Sequence, residues 1–138
     1  MSVIGIGTEI VECLRIAQMI ERHDESFLRR VYTQKEIEFC SARGHASQHY
    51  AARWAGKLAV LKALGSSLGG FNDWRDVELR PLQGNRVSVA LAGDPKETCV
   101  NRQIAKVMVD LSFCRTHASA FAIASASDGL ESLDLEDL

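Results

Sequence analysis

A chain of 138 residues, 46% hydrophobic and 25% charged, has the length and composition of one folded unit around one core, which excludes intrinsic disorder. Its formal charge of −2 excludes a global basic field for nucleic acid. The balance is uneven, because Asp128, Glu131, Asp134, Glu136 and Asp137 lie in a terminal stretch without a base, and without these five acids the charge moves from −2 to +3. The body of the chain is thus mildly basic and admits an acidic partner or a phosphate ligand. No apolar run reaches the ~20 residues of a membrane-spanning helix, and no charged-then-apolar leader opens the chain. Cys13, Cys40, Cys99 and Cys114 show no C-x-x-C spacing and read as reduced thiols of a cytoplasmic protein.

In chain order, Ser2 to Ile10 alternates loosely and is rich in Ile, Val and Gly, which predicts a strand. Ile10, Cys13, Leu14, Ala17 and Met19/Ile20 then recur near the helical period, with Arg15 and Arg22 seven apart on the polar face. Asp24 is placed to cap a short helix through Val31. Thr33-Gln-Lys-Glu36 has the form of a capping box and opens a further helix that fades before Gly44. The longest periodic segment runs from about Ser47 to Leu64, with Ala51, Trp54, Ala55, Leu58 and Leu61 as its apolar stripe and Gly65 as its stop. Gly65 to Gly70 reads as a flexible loop.

Trp74 to Arg80 alternates as a half-buried strand, and Gly84-Asn85 turns the chain into Val87, Val89 and Leu91, with Ser88, Ala90 and Ala92 opposite. Asp94-Pro95-Lys-Glu97 predicts a capped helix with proline at its first position. Lys106 to Phe113 and Ala118 to Ala126 read as two strands around a turn at Cys114-Arg115-Thr116. The order of strand, helices, hairpin, helix and hairpin predicts an α+β domain over residues 1–127, a mainly antiparallel sheet packed against the long helix. Residues 128–138 lack core material and read as an acidic, disordered tail.

Gly5-x-Gly7 lacks the last glycine of a dinucleotide fingerprint, since position 10 is isoleucine. His45 and His49 are spaced i, i+4, but the acid of H-E-x-x-H is absent at Ala46, so they read as solvated loop histidines. His117 near Cys114 does not identify a nucleophile pair. On the long helix, Arg53 and Lys57 share one face and Leu58 and Lys62 another. Lys62 precedes the glycine-rich loop, which leaves two readings open: a cation at a helix C-terminus, complementing the dipole, or a phosphate contact.

Two longer blocks carry a family resemblance. Gly5-Ile-Gly-Thr-Glu-Ile-Val-Glu-Cys-Leu-Arg-Ile16 resembles the opening G-x-G-T-D-I-V-E-x-x-R-I of the holo-acyl-carrier-protein synthases. Arg53-Trp-Ala-Gly-Lys-Leu-Ala-Val-Leu-Lys-Ala-Leu-Gly65 resembles their R-F/W-A-x-K-E-A-x-x-K-A-L-G block. Trp74-x-Asp76-Val-Glu78 and Leu91-x-Gly93 resemble later segments, so the likeness spans roughly residues 3 to 126 in order.

The resemblance implies a 4′-phosphopantetheinyl transferase fold and transfer of 4′-phosphopantetheine from coenzyme A to a serine of an acyl carrier protein, releasing 3′,5′-ADP. It further implies a catalytic Lys62; coenzyme A contacts at Lys57, Lys62, Gly65 and Arg115; and a Mg²⁺ ligand at Glu9. Arg15 and Arg22, with Arg29 and Arg30 as neighbours, are implied contacts for the acidic helix of the carrier protein, and a homotrimer with active sites between subunits is implied as the assembly. Three positions depart from the family pattern. Glu9 replaces an Asp, Leu58 replaces a metal-binding Glu, and Arg115 stands where many members have His, its guanidinium being suited to bidentate phosphate contact. Glu36 and His117 titrate but read more simply as a cap and a turn residue, and no general base is assigned. The alternative function is a homologue that binds coenzyme A or a carrier protein without transfer.

Overall fold

The computed structural model describes residues 2–66, 73–84 and 86–127; the rest of the loop expected after Gly65, Asn85 of the expected turn and the acidic tail lie outside the described residues. The opening strand is β1 (Ser2–Glu12), followed by three short helices, α1 (Cys13–His23), α2 (Glu25–Val31) and α3 (Gln34–Ser41). The long helix is α4 (Ala46–Ala63). A 3₁₀ turn at Trp74–Asp76 leads into β2 (Val77–Pro81) and β3 (Val87–Leu91), then α5 (Gly93–Asn101), β4 (Ile104–Phe113) and β5 (His117–Ala126). Strands β1, β5 and β4 form one antiparallel sheet in that order, and β2 and β3 form a second antiparallel pair. The expected α+β class is what the chain adopts, with α4 lying across the three-stranded sheet.

Small residues set the closeness of that packing. Ala51, Ala55, Ala59 and Ala63 of α4 are fully buried, as are Ala122 and Ala124 of β5. The helix therefore approaches β1 at Gly5 and Gly7, where an added Cβ would lie 2.0 Å from the carbonyl oxygens of Ala63 and Ala59. At Gly7 the added carbon would also fall 2.8 Å from the Cβ of Lys62. Replacing Gly7 with Ala is expected to destabilise the fold by about 1–3 kcal/mol through overpacking, read as a lower urea midpoint at unchanged m-value. An unchanged midpoint would show that β1 can move off the helix freely.

Strand alternation follows from the same contact. Gly5, Gly7 and Glu9 point to the α4 side, so Ile6, Thr8 and Ile10 point away, and Ile6 and Ile10 are about 59% and 64% exposed. Ile10 belongs to this strand rather than to the expected helical stripe, and Leu14 of α1 is exposed; Cys13 and Ile16 are what α1 buries. Met19 and Ile20 of the expected stripe pack against the core with Cys13, so the helical period holds there while Leu14 faces solvent and Ile16 is buried instead.

The capping box expected at Thr33 and Glu36 forms, with the Thr33 hydroxyl accepting from the Glu36 amide and the Glu36 carboxylate accepting from the Thr33 amide. Asp24 sits at the N-terminus of α2 with φ 48 and makes no side-chain cap. Helix α5 starts at Gly93, two residues before Pro95, so Asp94 lies inside the first turn instead of capping it. The expected strand from Trp74 begins only at Val77. Helix α4 departs most from its pattern: nearly its whole circumference is buried, Arg53 and Lys57 included, because α1, α3 and β2 pack against the sides that the sheet leaves free.

Candidate functional site

Helix α4 ends in a Schellman motif: Gly65, at φ 81, donates its amide to the Lys62 carbonyl at 3.0 Å, and Ser66 donates to the Leu61 carbonyl at 3.0 Å. Arg102 adds a guanidinium hydrogen bond to the Leu64 carbonyl. This rigid end holds Lys62 against β1. Its ammonium donates to the Thr8 carbonyl and to Glu9 Oε2, each at 3.0 Å, and the other carboxylate oxygen of Glu9 accepts from the Ile10 amide at 3.2 Å. Both side chains remain partly exposed, at 39% for Lys62 and 20% for Glu9. They line an open depression with Thr8, Ile10, Ser119 and Ala120. Residues 53 positions apart, one from each block of the resemblance, thus meet in one accessible ion pair.

The side chains here do not make a resident site for a divalent cation. Glu9 is the carboxylate among the residues lining the depression, and Lys62 neutralises it. Leu58, where the resemblance puts a second acid, is buried in α4 and has no oxygen to offer. Among the described residues no group of three or more His, Cys, Asp or Glu side chains is placed to hold a metal ion. Mg²⁺ needs near-octahedral oxygen coordination, which one compensated carboxylate does not supply.

Lys57 requires a correction. The resemblance implied a coenzyme A contact, but the side chain is fully buried and its ammonium is engaged by Glu36 Oε1 at 2.8 Å, the Trp74 carbonyl at 3.1 Å and the Val77 carbonyl. A lysine has three donors, and all three are used inside the protein. Burial pushes the Lys57 ammonium below its ordinary range, while the Glu36 carboxylate opposes that shift. Glu36 is more than a cap: its second oxygen accepts from the Leu79 amide at 2.9 Å, so it joins α3, α4 and β2.

A second cationic feature lies toward the other end of α4. Arg53 is 3% exposed and stacks its guanidinium 4.0 Å from the Phe39 ring centre, with Arg43 3.5 Å from the same centre. The Nε of Arg53 is buried without a hydrogen-bond partner. With Arg86 and His49, these residues line a cavity between α3, α4, the β2–β3 hairpin and β4. His49 is half-buried between Phe39 and Phe113, not a solvated loop residue, and burial together with Arg53 and Arg43 pushes its pKa down. A buried guanidinium with an unfilled donor, amid further positive charge, is suited to an anion. Arg53 opens the second sequence block, but its partners Arg43 and Arg86 come from segments without a motif; only the fold assembles them.

Arg115 occupies the β4–β5 turn, where its carbonyl accepts from Gln48 Nε2 at 3.4 Å. Gln48 and Lys62 are about 21 Å apart along α4 at 1.5 Å per residue. One chain therefore does not bring Arg115 and Lys62 together. In the same turn Cys114 is exposed, and hydrogen bonds from Thr116 and the His117 amide hold its thiol down at about 7. His117 begins β5, its Nδ1 3.0 Å from the Thr116 hydroxyl.

Arg15 and Arg22 are exposed on α1, with the Arg15 guanidinium 6.0 Å from the Trp54 ring centre. Trp54 stacks on Trp74 at 5.7 Å and 24°. The two indoles, with Met19, Phe27 and Arg30, line a groove between α1, α2 and α4. Arg29 instead pairs with Glu25 in solvent. Arg15, near Trp54, and Arg30 thus border a groove that sequence spacing did not reveal.

The profile of the 4′-phosphopantetheinyl transferase superfamily matches residues 5–124. A holo-acyl-carrier-protein synthase of Rhodopirellula baltica is 39% identical over 123 residues, covering 89% of this chain and 98% of that protein. One of Chlamydia pneumoniae is 35% identical over 127 residues, covering 91% and 100%. Among solved structures, a Helicobacter pylori holo-acyl-carrier-protein synthase in complex with coenzyme A superposes with a TM-score of 0.76 at 27% identity, covering 87% of this chain and 99% of that one.

Proposed function

Because the chain belongs to the 4′-phosphopantetheinyl transferase superfamily, we propose that it transfers 4′-phosphopantetheine from coenzyme A to a serine of an acyl carrier protein. The observation that carries this reading is the meeting of the two sequence blocks at Glu9 and Lys62, which leaves a lysine ammonium in an open depression. In the transfer, the serine oxygen forms a bond to the phosphorus bearing the pantetheine arm. The bond from that phosphorus to the bridging oxygen breaks, the hydroxyl proton is lost and 3′,5′-ADP departs. Lys62 binds the diphosphate and stabilises the charge that develops on its oxygens, a role that demands position more than proton transfer. Gly65 fixes the end of the helix that aims Lys62. The side chains described do not by themselves build a site for Mg²⁺, which the resemblance implies.

The cavity of Arg43, Arg53 and Arg86 supplies a second anion contact, suited to the phosphate on the nucleotide end of coenzyme A. Along one α4 this cavity lies apart from Lys62, so a homotrimer is the arrangement that joins them, one copy contributing Glu9 and Lys62 and its neighbour the arginine cavity and Arg115. The exposed face of Ile6, Ile10 and Phe121 supports such packing. Arg15 and Arg30 beside the tryptophan groove, with Arg22 exposed on the same helix as Arg15, offer an acidic carrier helix both charge and an apolar seat. Nothing observed favours a non-catalytic binder over a transferase.

Intact-mass analysis of an apo acyl carrier protein incubated with this protein, coenzyme A and Mg²⁺ tests the reading. A gain of one phosphopantetheine, absent without the protein, is the expected outcome. No gain with several carrier proteins, while coenzyme A binds, would refute transfer. Sedimentation of the full chain tests the trimer, and a monomer at all concentrations would exclude it.

A further inference from the structure

We infer that Arg102 is a positioning residue for the transfer: its charge at the C-terminal end of α4 offsets the helix dipole beside Lys62 and raises the affinity of that end for the diphosphate of coenzyme A. The inference rests on the coenzyme A reading above and adds a residue from outside both sequence blocks.

A diphosphate at Lys62 approaches an unfavourable helix end. Lys62 lies in the last turn of α4, where the terminal carbonyls carry the equivalent of roughly half a negative elementary charge. The Lys62–Glu9 pair is neutral as a whole, so pair and dipole together leave this end net negative. The Gly65 and Ser66 amides satisfy the Lys62 and Leu61 carbonyls but bring no net charge. The Leu64 carbonyl accepts instead from the guanidinium of Arg102, 38 residues further on at the end of α5. That cation turns the balance positive. Among the described residues no carboxylate pairs with Arg102, so its charge is not cancelled. Leu64 is about 3 Å beyond Lys62 along the helix axis, well inside the screening length of about 8 Å. The backbone holds Arg102 to this place: its amide donates to the Thr98 carbonyl at 2.9 Å, and Gln103, at φ 57, turns the chain into β4 at the buried Ile104. The guanidinium lies over Gly65, where a Cβ would collide with it.

Two variants separate charge from capping. Arg102→Gln keeps a donor for the Leu64 carbonyl and loses the charge, whereas Arg102→Lys keeps the charge; the position is exposed, so both are expected to fold. Calorimetry on the full chain is expected to give a coenzyme A dissociation constant about two- to fivefold higher for Arg102→Gln, the worth of one charge at a helix end. Arg102→Lys is expected to stay closer to the parent. The gap between parent and Arg102→Gln is expected to narrow as salt rises from roughly 0.05 to 0.5 M. In transfer assays the same factor is expected in KM, with kcat changed by less than about twofold. A cap that only supports the fold behaves differently: Gln then serves as well as Arg, and any loss follows the urea midpoint and not the salt concentration. Unchanged coenzyme A affinity in Arg102→Gln, a loss shared in full by Arg102→Lys, or a loss independent of salt would each overturn the inference and leave the transferase reading intact. A parent protein that neither binds coenzyme A nor transfers from it would instead overturn the reading on which the inference rests.

Discussion

Replacing Lys62 with Met is expected to lower the rate of phosphopantetheine transfer by about 10²- to 10³-fold, the loss seen when a preorganised group facing developing charge is removed. The side chain is a single ammonium at the end of α4, its backbone fixed by the Schellman motif and its Nζ held by Thr8 and Glu9. Stability should change little, since the ion pair it leaves is partly exposed and Met keeps the apolar stem. The urea midpoint and the steady-state rate together check this. A variant that folds and turns over within a factor of a few of the parent would remove Lys62 from the chemistry. Lys62→Arg is expected to recover only part of the rate, because a guanidinium delivers its charge over a planar fork rather than at one point.

The second large effect is on the fold. Lys57 and Glu36 are 0% and 1% exposed and form a buried ion pair, completed by two backbone carbonyls on the lysine and by the Thr33 and Leu79 amides on the glutamate. Removing one partner strands a charge in the interior. Lys57→Met is therefore expected to cost about 3–5 kcal/mol in urea unfolding. Combining it with Glu36→Gln should cost less than the two single changes added, because the stranded carboxylate is gone while the amide oxygen still accepts hydrogen bonds. A loss below about 1 kcal/mol for Lys57→Met would mean that the carboxylate finds another partner. The two experiments together are expected to separate the lysines of the second sequence block, with Lys57 acting on folding and Lys62 on turnover.

That separation shows where sequence reading stops. Both lysines stand in one motif on one helix, and the spacing that put Lys57 on one face with Arg53 says nothing of whether that face meets solvent. Here it does not, because α4 is enclosed by the sheet, α1, α3 and β2. The helical period fixes which residues share a face; it does not say how many faces are covered. His49, which spacing left as a loop histidine, is enclosed for the same reason, packed between rings from α3 and β4.

Local signals transferred well wherever the interaction is between near neighbours. The Thr33–Glu36 capping box, the Gly65 stop, the β2–β3 pair and the two C-terminal strands all stand close to where residue pattern put them, because each depends on contacts within a few residues or on a period of two. Asp24 and Asp94 had cap chemistry at suitable positions, yet neither makes the cap expected of it, since backbone geometry chose the helix starts.

By itself the sequence determined the α+β class, the order of the elements, the helix caps at Thr33 and Gly65, and the family through two long blocks. Tertiary structure alone decided which charges are usable. It buried Lys57 against Glu36, opened Lys62 toward Glu9, and collected Arg43, Arg53 and Arg86 from distant segments into one cavity. The reason is physical: caps and periods are satisfied within a few residues, whereas the worth of a charge depends on how much water and which opposite charges surround it, and those are set by segments brought together from across the chain.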